Sequence, residues 1–226
     1  SYCSSGNANV AMGYNALNVL TTGVGNIAIG SSAGDAITTG TDNTSIGKSA
    51  MSSMIAGAYN IALGANAMES YKGDDGNNAG NKNIAIGASA MATFQGGTGD
   101  VHADTRFDRN IAIGYNSFTG ADFNNAEKVV TDNIAIGDEA LNSTGANGQV
   151  GTIAIGTNAL TTLTSGAANL AIGYLSGATL STGGYNVHLG WKAGEAQTIS
   201  SSNTFVGAES GIDITQGENN VAMGRR

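Results

Sequence analysis

The side chains equipped for chemistry are few, and most lie in one third of the chain. Asp104 and Asp108 are the nearest thing to a paired acid and base. Two carboxylates held about 5 to 9.5 Å apart beside a groove could hydrolyse a glycosidic bond. No spacing motif marks this pair, so no enzyme is expected, with a polysaccharide hydrolase as the alternative. Asp74-Asp75-Gly76-Asn77-Asn78 offers oxygen ligands for calcium but lacks the spacing of an EF-hand. His102 and His188 are too few and too separated for a catalytic metal centre. No metal or cofactor is expected, and the lone Cys3 excludes an intrachain disulfide framework.

Residues 65 to 139 hold eleven of the seventeen acidic residues and four of the five phenylalanines. Polar segments carrying aromatic rings suit glycan or protein recognition, because rings supply contact area while carboxylates and amides orient hydroxyls. Phe94, Phe107 and Phe123 are therefore candidate receptor-binding anchors, whereas Phe118 holds a repeat position expected in the core. Tyr174 and Trp191 each follow a repeat glycine and should be neighbours on consecutive units, making a second candidate receptor-binding pair.

What must position these side chains is a repeat. Asn-apolar-small-apolar-Gly occurs at Asn9-Val10-Ala11-Met12-Gly13 and, with variations, eleven more times to Asn220-Val221-Ala222-Met223-Gly224. The anchoring glycines from Gly13 to Gly64 and from Gly156 to Gly224 recur every 17 residues, and longer spacings fall only between them. Two apolar residues flanking one small residue read as a short strand with one buried face. Three and four residues after each glycine comes a second inward pair, such as Ala16-Leu17 or Ala50-Met51, expected as a weaker short strand. Clusters such as Thr38-Thr39-Gly40 turn the chain back to the next Asn.

Seventeen residues cannot hold two strands and a helical crossover, and helix-length apolar periodicity is absent. The expected fold is all-β, a parallel β-solenoid of twelve coils stacked about 4.8 Å apart, a rod of roughly 55 Å. Residues 1 to 226 form one repeat domain, with the insertion-bearing coils over 65 to 151. Insertions on successive coils emerge on one side and meet as one patch, commonly a binding face. The repeated Asn and Gly are structural: both tolerate sharp turns, and stacked Asn side chains form ladders.

The small position is Ala in nine of twelve repeats, with Ser45, His188 and Phe205 in the rest. With the apolar residues assigned to the coil's core, this column points outward. An outward column of alanines in place of Thr, Lys or Glu implies a second surface packed against it. Ala112, Ala135 and Ala154 are thus the expected subunit interface.

These repeats resemble the head repeats of YadA-like trimeric autotransporter adhesins, which also occur in bacteriophage tail fibres. The resemblance rests on twelve Asn-x-Ala-Ile-Gly-like motifs over residues 7 to 226. It implies a left-handed parallel β-roll and a homotrimer around a common axis. It implies an extracellular fibre that attaches to a host surface glycan or protein receptor, on a virion or a bacterial cell. Units such as Gly13-Tyr14-Asn15-Ala16-Leu17 followed by Thr-Thr-Gly are closer to phage fibres, with a bacterial adhesin head and a tailspike-like hydrolase as alternatives.

A net charge of −8 disfavours nucleic acid and anionic membranes as partners. No apolar run approaches the ~18 residues of a membrane span, so this segment is not expected to insert into one. The chain opens without Met and stops just past a repeat glycine, so it is read as a segment of a longer fibre with neighbouring domains.

Overall fold

A β-branched or unbranched aliphatic residue on either side of one small residue keeps three residues extended, and the glycine that follows ends the extension. In the computed structural model each motif forms a three-residue strand, from Val10–Met12 to Val221–Met223. The structure describes residues 6–70, 80–94, 106–120, 129–145 and 148–226. Among these, twelve repeat strands stack in register into one parallel sheet, and no helix is present. The chain is a parallel β-solenoid. We number its coils one to twelve by their glycines.

The register is one coil per repeat whatever the repeat length: Ile84, Ala85 and Ile86 lie opposite Ile111, Ala112 and Ile113 although 27 residues separate them. Longer repeats are therefore accommodated outside the strand. Part of the extra chain builds a second parallel sheet of Arg106–Asp108, Val129–Thr131 and Gln149–Val150, one strand on each of three successive coils.

The arc after each glycine is inward-facing as expected, but it is not a strand. Two of its residues per coil, such as Asn15 and Leu17 or Ser49 and Met51, hold φ near +50 to +56°. Left-handed residues alternating with ordinary ones curl the backbone, which an extended strand cannot do within the few residues available. The arc is held to the next coil by bonds such as Leu17 N to Ala33 O at 3.1 Å and Met51 N to Ala67 O at 3.0 Å.

The Asn side chains form the ladder that closes each coil. Asn26 Oδ1 accepts from the backbone N of Asn43 at 3.1 Å and from its Nδ2 at 3.1 Å, while Asn26 Nδ2 donates to Gly40 O at 2.7 Å. Every atom of the buried amide is thereby used, which is what burial of an amide demands. Thr152 breaks the ladder: its backbone N donates to Asn133 Oδ1 at 2.9 Å, but its buried Oγ1 has no partner. Thr152→Asn is expected to restore the acceptor beneath Asn169 and add a donor toward Gly166, raising stability by about 1–2 kcal/mol. A urea midpoint no higher than the parent's would show that the gap is not an energetic defect.

Candidate interaction surface

The interior of a coil is narrow, and this decides which side chains enter it. Ala28, Ala62, Ala85, Ala112, Ala135, Ala154 and Ala171 are each 0 % exposed within the single chain. The apolar residues on either side of this column face out, half-buried or exposed, Ile27 beside Ala28 at 36 % and Leu189 beside His188 at 40 % among them. The expected polarity is thus inverted. Ala112, Ala135 and Ala154 are core residues of their own coils and cannot line a subunit interface.

Size complementarity across the core explains the inversion. Opposite the alanine column stand the large side chains of the arc, including Leu17, Met51, Met68, Met91, Phe118, Leu141 and Leu160, all fully or almost fully buried. One methyl is all that fits against them. Where the column carries a ring, the arc gives way to glycine: a Cβ on Gly177 would lie 2.5 Å from His188 Nδ1, and one on Gly211 would lie 2.6 Å from the Phe205 ring. This exchange of large and small was readable from residue types alone and was the signal that the small position points inward.

What the inversion leaves outside is a flat sheet of twelve strands with two outward columns. All of its 24 positions are aliphatic or methionine except Thr44 and Thr204. At about 4.8 Å per strand and about 7 Å between outward residues on a strand, the face covers on the order of 500 Å², at the upper end of what a monomer usually exposes.

The aromatic candidates divide. Phe94 and Phe107 are 1 % and 3 % exposed, with ring centroids 4.3 Å apart, and Phe118 completes the cluster at 5.1 Å from Phe94 and 6.3 Å from Phe107. They fill the core where the second sheet widens the coils, so neither is a surface anchor. Phe123 lies outside the described residues. Tyr174 and Trp191 are both 47 % exposed, on the adjacent coils nine and ten, and the backbone joins them through Lys192 N to Tyr174 O at 2.9 Å. Lys192 Nζ sits 5.2 Å from the centre of the Trp191 ring. Tyr185, 70 % exposed, is a further ring on coil ten that the sequence reading did not single out.

Asp104, the Asp74-Asp75 run and His102 lie outside the described residues. Asp108 Oδ1 accepts the backbone N–H of Asn81 at 2.7 Å and so ties two coils together. Arg109 clamps Asp132 through Nε at 2.6 Å and Nη2 at 2.9 Å, which holds the Asp132 carboxyl below its ordinary range. Both are largely exposed, so the pair adds little stability. Among the described residues no group of three or more His, Cys, Asp or Glu is placed to hold a metal ion. Compared with protein-family models, with curated proteins and with solved structures, the chain finds no match.

Proposed function

We propose that this chain is a non-enzymatic segment of an extracellular attachment fibre, built as a homotrimer whose subunits bury the outward aliphatic face of the sheet. The observation that carries the reading is that face: two apolar columns running the length of twelve coils, interrupted only at Thr44 and Thr204. A soluble rod gains nothing from exposing such a stripe, whereas parallel copies in register cover it along their whole length. The resemblance to YadA-like head repeats supports three subunits and a phage tail fibre in particular, with a host surface glycan or protein as receptor. The exposed rings of Tyr174 and Trp191 are the part of the recognition surface best placed to stack on sugars.

Sedimentation of the full chain is expected to give about three times 22.5 kDa. Immobilised host polysaccharide is expected to retain the protein without being shortened, and Trp191→Ala with Tyr174→Ala to weaken retention at least tenfold. A monomer at micromolar concentration would overturn the assembly. Release of new reducing ends would overturn the non-enzymatic assignment, and undiminished retention by the double variant would move recognition elsewhere on the fibre.

A further inference from the structure

Beyond assembly and attachment, coil ten carries a buried titratable group that neither role uses. His188 occupies the alanine column, 0 % exposed, between Gly177 and Gly194, with its ring stacked on Phe205 at a centroid distance of 5.5 Å. Its Nε2 lies 2.5 Å from Gln197 Oε1, and the Gln197 Nε2 is 3.4 Å from Asn186 Oδ1 in the ladder. An amide oxygen only accepts, so Nε2 carries the proton and Nδ1 presents a bare lone pair. That Nδ1 is buried and has no hydrogen-bond partner among the described residues.

The geometry points to an acid-sensitive joint in the rod: protonation of His188 turns Nδ1 into a donor that the packed core cannot pair, and coils nine to eleven open locally while the rest of the array stays closed. Solenoid coils contact only their neighbours, so one strained coil opens without unfolding the whole. Among the described residues no carboxylate acts on the ring to relieve an imidazolium. On its own coil Lys192 and Glu195 pair with each other at 3.1 Å, and on coil eleven Asp213 pairs with Arg226. Among the described residues, Gln197 is the one side chain hydrogen-bonded to the ring, and Glu209 on coil eleven, Tyr174 on coil nine and Tyr185 on coil ten are not its partners. Burial accordingly pushes the imidazole down to about 4 from its ordinary 6.5. A depressed histidine contributes stability that is complete above about pH 6.5 and is lost as the pH falls toward about 4, because the unfolded chain takes up the proton first.

The test uses a control supplied by the next coil, where Phe205 and Ile214 stand at the positions of His188 and Gln197 with the same facing glycines. In the assembled full chain, hydrogen exchange over residues 174–206, corrected for the intrinsic rate, is compared at pH 7 and pH 4.5. The opening constant of the parent is expected to rise on the order of 100-fold at the lower pH. That of H188F/Q197I is expected to stay within about threefold. Equal rises in both proteins would overturn the proposal. Should the variant not fold, the ¹³C-labelled His188 imidazole of the parent still decides: titration near 6.5 while the coil stays protected would refute the joint, and titration below 5 together with opening would uphold it.

Discussion

Ile113→Glu is expected to leave the coils folded and abolish self-association, whereas Ala112→Glu, one residue earlier, is expected to prevent folding. Ala112 is 0 % exposed inside a single coil, packed where only a methyl fits. A glutamate there overfills the core and strands a carboxylate among apolar side chains, a loss of several kcal/mol that a marginal domain does not survive. Ile113 is half-buried on the outer face of the same strand. In an isolated chain the new carboxylate reaches water, and the expected change in stability is about 0.5 kcal/mol. In the assembly it is buried without a partner along the whole seam, so sedimentation should report monomers at concentrations where the parent is trimeric. Circular dichroism and sedimentation on the two variants separate the cases. A folded monomer from Ala112→Glu, with Ile113→Glu still assembled, would return the interface to the alanine column and sink the reading of the outer face.

The architecture was legible because a 17-residue period with one anchoring glycine per unit admits little else, and the sheet register follows the repeat motif even through the longer, insertion-bearing units. The direction of the side chains was not legible from alternation. Period 2 says that Ile111 and Ile113 share one face and Ala112 takes the other, but it does not say which face is inside. The default that larger apolar residues go inward failed because the opposing arc already fills the core with Leu, Met and Phe. Pairing across the core would have resolved it: His188 and Phe205 occur where Gly177, Gly194 and Gly211 replace those large residues.

The aromatic anchors failed for a related reason. Phe94 and Phe107 sit next to insertions in sequence, and that proximity was read as exposure. The return limbs of the insertions form their own strands, and the wider coils beneath need rings to fill them. Tyr174 and Trp191 lie on adjacent coils as expected, since their position immediately after a repeat glycine fixes the coil they belong to; the exposure of their rings is what the structure adds. The Asn column was legible as a ladder, but its second arm was not: the bonds from Nδ2 to the carbonyl that closes the same coil depend on where the return segment passes. The buried amide of Gln149 has no partner on either atom among the described residues.

Gly114→Ala is expected to prevent folding, and Gly151→Asp to be tolerated, although both glycines have positive φ. Gly114 closes a repeat strand at φ +133°, and a Cβ there would lie 2.5 Å from the carbonyl oxygen of Gly137 on the next coil. Neither backbone can give way. Gly114 N is bonded to Ile86 O and Gly137 N to Ile113 O, both at 2.8 Å. Strain and clash together put the cost at about 4 kcal/mol or more, enough to lose the folded state in a chain whose coils stabilise one another in series. Gly151 has φ +65° and open space where a Cβ would go. Its repeat position is held elsewhere by Asp42, Tyr59, Arg109 and Asp132 at φ between 53° and 62°. The left-handed penalty of about 1 kcal/mol for a side chain is partly offset by the lower entropy of the unfolded chain, leaving a net change of about 0.5 kcal/mol. Thermal unfolding of the two variants is the measurement. Gly114→Ala melting within a few degrees of Gly151→Asp would mean that close backbone approach between coils does not set the glycine column, and that its recurrence in every repeat needs another cause.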